Sequence, residues 1–288
     1  MILILILITN CPPSRARSAP FATKEIAVFQ KDKLLSISKG KSLLIEKPLS
    51  ISVSDSESIL RCNLDKKVTL AVGQIERHNP VVKFAKEQLQ RGNWGELINM
   101  SARRFSSYPL RINDVGVLFD LTIHDVDLMR FLSGKEPLSI FTSGSAKKGL
   151  NFEDNIVSII NFQEEVLGVC ETNWLTPMKV REMHLTTTKF HVKLDMLNQY
   201  VEIFSSVPTG VSFHSPEGKI LDVNYKKIEL DDKEPLKEEL IDFLSAVKNS
   251  GKPLADGYDG LQAVRTIQAA LESLEKQKVI NLKQSLMH

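Results

Sequence analysis

The chain has 288 residues, of which 42% are hydrophobic and 25% are charged, and its formal net charge is +2. This composition is that of an ordinary globular protein with room for two domains, and the small net charge gives no electrostatic reason to expect a nucleic acid or an anionic membrane as partner. The widely spaced cysteines indicate neither a disulfide framework nor a metal-binding pair, so we expect reduced thiols, no metal and a cytoplasmic protein. These cysteines are Cys11, Cys62 and Cys170.

The first element in chain order is an apolar run at residues 1–9. One interpretation is the hydrophobic region of a signal peptide, but the run has no basic segment before it and no small-residue cleavage site after it. It is also too short to span a bilayer. A continuous β-branched run that stops before Pro12 and Pro13 is typical of a buried parallel strand, and we favour this second interpretation. A core strand this early suggests that part of the fold lies upstream.

Strands and helices then alternate as far as Pro80, which predicts a parallel sheet with right-handed crossovers. The strand at 41–46 ends in Glu46 and Lys47, because Pro48 cannot continue a central strand. Ligands bind at the carboxyl ends of strands in open α/β sheets, so this edge is a candidate binding site. The other elements predicted here are a helix at 22–30, an irregular segment at 32–41, a helix at 50–64 and a strand at 68–73.

A further helix is predicted at residues 113–134, because apolar residues recur there at helical spacing. Asn113 or Asp114 would cap its start, and Gly134 stands where a C-terminal glycine commonly ends a helix.

Asp120 and His124 are four residues apart in this helix and therefore lie on one face. A carboxylate beside an imidazole raises the imidazole pKa and fixes the ring, which suits proton transfer near neutral pH. The alternative is a helix with an acidic surface, because Asp125 and Asp127 lie in the same turn. Spacing alone leaves both interpretations open.

The rest of the chain predicts an α+β domain. Runs that alternate apolar and polar residues indicate a largely antiparallel open sheet with one covered and one exposed face. An exposed sheet face is often an oligomer interface, so we expect a homodimer or homotetramer. The predicted strands are at 95–103, 138–143, 155–162, 166–174, 182–187, 190–195, 199–204 and 279–280, and the predicted helices are at 81–90, 236–249 and 259–276.

The sequence thus predicts two domains, residues 1–80 with a parallel sheet and residues 81–288 with the antiparallel sheet. The last helix, capped by Asp256 or Asp259, would pack back toward the first domain. A cleft between two such domains is the default place for a small-molecule site.

Three motifs resemble those of the Gfo/Idh/MocA family, which includes glucose–fructose oxidoreductase and inositol dehydrogenase. Glu46-Lys47-Pro48 is similar to the family's EKP motif, and the segment from Gly116 to Asp127 is similar to its GG-x-x-x-D-x-x-x-H-x-x-D helix. Residues 256–263 are similar to its C-terminal acidic-Gly-Leu helix start. EKP alone is a weak signal, but three motifs in the family's order are specific.

Within the family, residues 73–80 and 111–116 look most like the branch that oxidises UDP-N-acetylglucosamine at the sugar 3-position. The chain departs from that branch at Gln74, where the branch usually has His, and at His78, where it has an aromatic residue.

The resemblance implies a Rossmann domain followed by an α/β domain, and reversible hydride transfer between a sugar hydroxyl and NAD or NADP. Lys47 would hydrogen-bond the reacting hydroxyl and help to place the nicotinamide. His124 would take or return the hydroxyl proton, and Asp120 would orient His124 or bind a neighbouring hydroxyl. The division of labour between Lys47 and His124 differs among members of the family, so the resemblance assigns neither as the sole base. The implied cofactor-binding residues are Thr9, Asn10, Pro12, Glu46, Lys47 and Gln74.

Arg77 follows the third strand and is a candidate substrate-binding residue together with the three catalytic candidates. Its alternative is a solvated surface arginine. Trp174, Lys179 and Arg181 follow an antiparallel strand and are candidate substrate-side groups, for which structural roles remain the alternative.

The family begins with a Gly-x-Gly-x-x-Gly turn that binds the cofactor pyrophosphate, and this sequence contains no such pattern. Residues 1–13 resemble a later strand of the family, so we expect a partial, N-terminally truncated Rossmann domain. Two functions therefore stay open. One is a dehydrogenase of a sugar or nucleotide sugar, similar to UDP-N-acetylglucosamine or inositol, and the other is a non-catalytic relative that binds a sugar as a sensor.

Overall fold

The structure is a computed structural model that describes residues 2–5, 32–109, 112, 115–147, 152–206, 223–231 and 233–282. These residues form two β-sheets with helices packed against them. Several predictions lie outside the described residues, namely the helix at 22–30, the caps Asn113 and Asp114, and the cofactor residues Thr9, Asn10 and Pro12.

The smaller sheet has three parallel strands, and the strand predicted in the N-terminal apolar run is confirmed as one of them. The order is β1 (Ile2–Leu5), β2 (Ser42–Glu46) and β3 (Leu70–Gly73). Glu46 pairs with Gly73, so the carboxyl ends of β2 and β3 lie side by side. Segments that follow these two strands therefore meet at one edge of the sheet.

Residues 32–38 form a helix, α1, so the prediction of an irregular segment is wrong there. Ile37 is fully buried in the core around β2 and β3, and Leu34 packs against the same core. Such tertiary packing stabilises a short helix whose own sequence pattern is weak. The next helix, α2 (Val53–Lys66), begins after Ser52, whose hydroxyl accepts the backbone N–H of Asp55 at 3.1 Å.

The larger sheet has nine strands in the order β11-β10-β9-β8-β4-β7-β6-β5-β12. Within the described strands, β4 and β7 are parallel and the other neighbouring strands are antiparallel, which confirms a largely antiparallel sheet. The strands are β4 (Leu97–Ser107), β5 (Pro137–Ser145), β6 (Asn155–Phe162), β7 (Leu167–Asn173), β8 (Leu175–Thr187), β9 (His191–Asp195), β10 (Tyr200–Ser206), β11 (Val223–Glu229) and β12 (Ile280–Asn281).

One face of this sheet is covered by helices and contributes to the main core, and no described helix covers the other, open face. Met100, Ala102 and Arg104 alternate inward along β4 and are buried. On the open face, Val157 and Ile159 of β6 are 44% and 42% exposed. The covering helices are α3 (Pro80–Gln90), a π-helical turn (Leu118–Thr122), α4 (Ile123–Ser133) and α6 (Gly257–Lys276).

Helix α6 contacts both sheets, because Leu261 belongs to the core of the smaller sheet while Ile267 belongs to that of the larger one. It begins with a capping box, in which the side chains of Asp256 and Asp259 accept each other's backbone N–H. The remaining helices in the described ranges are α5 (Pro235–Asn249) and a short 3₁₀ helix, Ile75–His78, while Gln163–Glu165 is a turn in which Glu164 and Glu165 have positive φ.

Candidate active site

The site forms where the carboxyl end of β2 meets the π-helical turn before α4. The ammonium Nζ of Lys47 donates to the backbone oxygen of Asp120 at 2.5 Å and lies 3.3 Å from its carboxylate Oδ1. The two side chains are 16% and 22% exposed, so they are mostly buried but still reachable from solvent. The fold therefore brings together two predicted catalytic residues that are distant in the sequence.

The helix predicted at 113–134 is not uniform. Leu118–Thr122 is a π-helical turn, α4 continues from Ile123 to Ser133, and Gly134 ends the helix with φ of 69°, as predicted. π-Helical turns are often found at functional sites, because the wider turn disturbs the regular backbone hydrogen bonding. Here the turn contains Asp120, whose backbone oxygen accepts the hydrogen bond from Lys47.

His124 lies one turn beyond Asp120, but its electrostatic setting differs from the prediction. Burial and then the positive charges of Lys47, Arg104 and Arg181 lower the pKa of His124 well below its usual value. The prediction of a raised pKa is therefore wrong, since the carboxylate of Asp120 interacts with Lys47 while the cations dominate the field at the ring. The imidazole is neutral near pH 7, and its Nδ1 is buried without a partner among the described residues.

A cluster of buried ion pairs lies next to this site. The guanidinium of Arg104 donates to Asp125 Oδ1 and to Glu76 Oε1, both at 2.9 Å, and Arg104 is 2% exposed. Burial opposes the charged form of Arg104, but the two carboxylates outweigh it and raise the pKa of the guanidinium. Neither Arg104 nor Glu76 was predicted from the sequence as a site residue. The position of Arg104 could have indicated it, because a charged residue there occupies an inward position in the alternation of β4.

Asp125 and Asp127 do not form an acidic surface, because each is 1% exposed. Asp127 instead accepts two hydrogen bonds from Arg77, both at 2.7 Å. Arg77 Nη1 also donates to Asp259 at 2.9 Å and to the backbone oxygen of Leu254 at 2.8 Å. The alternative of a solvated Arg77 is therefore wrong. The prediction that Arg77 binds substrate also needs correction, since carboxylates and a carbonyl oxygen already occupy its donors.

The predicted cofactor residues within the described chain lie at the adjacent strand ends. Glu46 packs against Gly73 so closely that a Cβ atom at position 73 would lie 2.8 Å from the Glu46 carboxylate. Burial raises the pKa of Glu46. Gln74 is 1% exposed, and neither its amide nitrogen nor its amide oxygen has a hydrogen-bond partner among the described residues. A buried amide of this kind is a candidate for bonding a ligand.

The three candidate substrate-side groups separate into two kinds. Trp174 is 1% exposed and packs edge-on against Tyr108 with ring centroids 5.3 Å apart, which favours the structural alternative. Lys179 is exposed, whereas Arg181 is half-buried and donates from Nη1 to Glu76 Oε1 at 3.3 Å. Arg181 therefore belongs to the ion-pair cluster of Arg104 and Glu76, at the side that faces solvent.

A family model and several known proteins are similar in sequence to this chain. Residues 82–193 match the family model described as the GFO/IDH/MocA C-terminal domain. The chain is 24% identical over 262 residues to a UDP-N-acetylglucosamine 3-dehydrogenase of Acidithiobacillus ferrooxidans, with 89% of this chain and 76% of the relative covered. It is 22% identical over 253 residues to an inositol 2-dehydrogenase of Rhizobium meliloti, with 84% and 74% covered.

Solved structures share the same fold. The UDP-N-acetylglucosamine 3-dehydrogenase from Acidithiobacillus ferrooxidans superposes with a TM-score of 0.76 at 20% identity, covering 90% of this chain and 83% of that one. A levoglucosan dehydrogenase in complex with NADH and L-sorbose gives 0.78 at 17% identity, covering 89% and 77%. Among the described residues, no helix is both long and apolar enough to cross a membrane.

Proposed function

Since the chain belongs to the Gfo/Idh/MocA family, we propose that it is an NAD(P)-dependent oxidoreductase acting on a secondary hydroxyl of a sugar or nucleotide sugar. The contact between Lys47 and the turn that carries Asp120, one helical turn before His124, supports this proposal most strongly. We further infer that residues 1–80 contribute to a cofactor domain and residues 81–288 to a substrate domain.

Alcohol oxidation removes a hydride from carbon and a proton from oxygen, so negative charge develops on the oxygen. The ammonium of Lys47, whose side chain is 16% exposed, would stabilise that charge by hydrogen bonding. His124 is neutral at pH 7 and would accept the proton as a general base. Asp120 holds Lys47 in place through its side chain and its backbone oxygen. In the reverse direction, the same groups would return the proton.

The nicotinamide cofactor, when bound, supplies the hydride acceptor or donor. The amide of Gln74, which has no hydrogen-bond partner in the described part of the chain, offers both a donor and an acceptor, which suits the carboxamide of a nicotinamide ring. Glu46 and Lys47 lie at the neighbouring strand end and would border the same ring. Thr9, Asn10 and Pro12 remain predictions for the rest of the cofactor.

The test is to titrate the purified protein with NADH and NADPH and then to measure oxidation of UDP-N-acetylglucosamine and of myo-inositol. We expect saturable cofactor binding, and a decrease in kcat of about 100-fold or more in Lys47→Ala and in His124→Ala, because general acid–base groups contribute about this much. Lys66→Ala, which removes an exposed lysine from α2, is the matched control.

Absence of cofactor binding at millimolar concentration would contradict the proposal. It would favour the second candidate, a non-catalytic relative that binds a sugar as a sensor, and sugar binding without turnover would then be the expected behaviour of the protein.

A further inference from the structure

The N-terminal part of β8, residues 175–180, departs from regular strand pairing close to the candidate active site. Phe105 of β4 pairs with Val180, yet Ser107, only two residues further along β4, pairs with Leu175. The residues between Leu175 and Val180 therefore bulge out of the sheet. β-Bulges are common next to active sites, where they redirect side chains.

Directly after this bulge, two arginines stand opposite each other. Arg181 of β8 pairs with Arg104 of β4, and like charges in directly opposed positions destabilise a sheet. One carboxylate relieves the repulsion, because Glu76 Oε1 accepts from Arg104 at 2.9 Å and from Arg181 at 3.3 Å. Arg104 is 2% exposed and also donates to Asp125, so two carboxylates face its guanidinium.

Arg181 is not neutralised to the same extent. Its side chain is 35% exposed, and Nη1 is the nitrogen that bonds a carboxylate within the described part of the chain. Nε and Nη2 form no hydrogen bond with another residue in the described part of the chain, so their donors can bond a ligand. Lys179, two residues earlier and at the end of the bulge, is exposed and forms no ion pair with any described residue.

Arg181 lies near the candidate catalytic residues, because it shares Glu76 with Arg104, and Arg104 bonds Asp125, the residue after His124. Lys179 is an exposed residue two positions earlier in β8. Arg181 is close enough to lower the pKa of His124 and to interact electrostatically with Asp120. A ligand whose hydroxyl reaches His124 and Lys47 would therefore place another of its groups near Arg181. Planar guanidinium groups bind phosphate oxygens in a bidentate manner, and an adjacent lysine adds a further positive charge.

We propose that Arg181 and Lys179 form an anion-binding subsite for a phosphate group attached to the sugar substrate. This proposal rests on the proposed function and narrows its substrate class to phosphorylated or nucleotide-linked sugars, in preference to neutral polyols. Arg181 is thus a specificity-determining residue rather than a catalytic one.

The test measures equilibrium binding by calorimetry with N-acetylglucosamine, N-acetylglucosamine 1-phosphate and UDP-N-acetylglucosamine, in the presence of saturating NADH and then without it. We expect both phosphorylated ligands to bind at least about tenfold more tightly than the neutral sugar, since a charge-assisted hydrogen bond contributes that much. Preference for the nucleotide-linked ligand over the 1-phosphate would assign the subsite to a nucleotide sugar. Equal affinity would assign it to a single sugar phosphate.

In Arg181→Gln, we expect binding of the phosphorylated ligands to weaken at least about tenfold while binding of the neutral sugar changes less than about twofold. Arg181→Lys, which keeps the charge, should retain part of the affinity, and Lys179→Gln should show a smaller loss. Arg103→Gln is the matched control, because Arg103 is an exposed arginine in neighbouring β4 that pairs with Glu171.

The proposal is overturned if wild-type protein binds the neutral sugar as tightly as the phosphorylated ligands, or if Arg181→Gln weakens all three ligands equally. Because binding is measured directly, a protein that binds the phosphorylated ligands through Arg181 but oxidises none of them would contradict the proposed function and leave this inference intact.

Discussion

At the scale of single residues, the charge state of His124 follows from its burial and from the cations around it. Its neutral form is the form required of a general base, so this environment keeps it ready to accept a proton at physiological pH.

The lowered pKa of His124 also affects the stability of the protein. Because the pKa of His124 is below that of an unfolded histidine, near 6.5, the unfolded chain binds more protons in this interval. The free energy of unfolding therefore decreases as the pH falls from about 6.5 toward the folded pKa.

We expect NMR titration of labelled histidine rings to place the pKa of His124 below about 6.5. Arg181→Gln should raise this pKa, because one of the cations that lower it is removed, whereas Arg103→Gln should leave it unchanged. The signal can be assigned by its loss in His124→Gln. A wild-type value at or above about 6.5 would contradict the role of burial and of the three cations.

At the scale of the element, the helix that carries the site is capped from another part of the chain. Glu153, which precedes β6, accepts the backbone N–H of Leu118 through Oε1 at 3.0 Å, and its backbone oxygen accepts that of Val117 at 3.0 Å. Gly116 makes room for this cap, since a Cβ atom there would lie 2.2 Å from the Glu153 carboxyl group. The position of the turn containing Asp120 thus depends on a residue outside the helix.

Glu153→Ala should reduce the free energy of unfolding by about 1–2 kcal/mol, the usual effect of losing a helix cap and leaving a buried donor unpaired. Glu153→Gln should have a smaller effect because it keeps a side-chain oxygen, and Gly116→Ala should resemble Glu153→Ala because it displaces the cap. Urea denaturation measures all three variants. Glu165→Ala, at an exposed position, is the control, and equal stability of Glu153→Ala and this control would rule out the capping role.

At the scale of the whole molecule, the open face of the larger sheet has the character of an interface. Val157 and Ile159 are exposed side by side on β6. Farther along the same sheet, rings contact each other in a row that contains His184, His191, Phe204 and Tyr225. Exposed apolar and aromatic surface of this kind commonly marks an assembly site. We propose that two copies of the chain associate through this face.

Sedimentation velocity should show a dimer or tetramer for the wild-type protein, and Ile159→Lys should shift it toward the monomer by placing a charge in the interface. Ile51→Lys introduces the same change at an apolar residue that is 40% exposed outside the larger sheet, and it should leave assembly unchanged. A wild-type protein that stays monomeric at micromolar to millimolar concentration would contradict this proposal.

Local patterns predicted the elements well where one face of the element is buried. The alternation at 155–162 coincides with β6, and the capping role of Asp256 and the helix end at Gly134 were both readable from residue types. The helix at 32–38 was not predicted, because burial of Ile37 against the parallel sheet stabilises it and no local pattern shows that burial.

The alternation of strands and helices, the three motifs and the candidates Lys47, Asp120 and His124 could be predicted from the amino-acid sequence, because they depend on residue types at fixed spacings. The charge states and the partners of these residues could not be predicted in this way. Arg77 and Asp127, which form a buried ion pair, are 50 residues apart in the chain. The lowered pKa of His124 reflects its burial and cations from the end of β2, from β4 and from β8. Electrostatic energy depends on distance and burial in space, and these arise only when distant segments pack together.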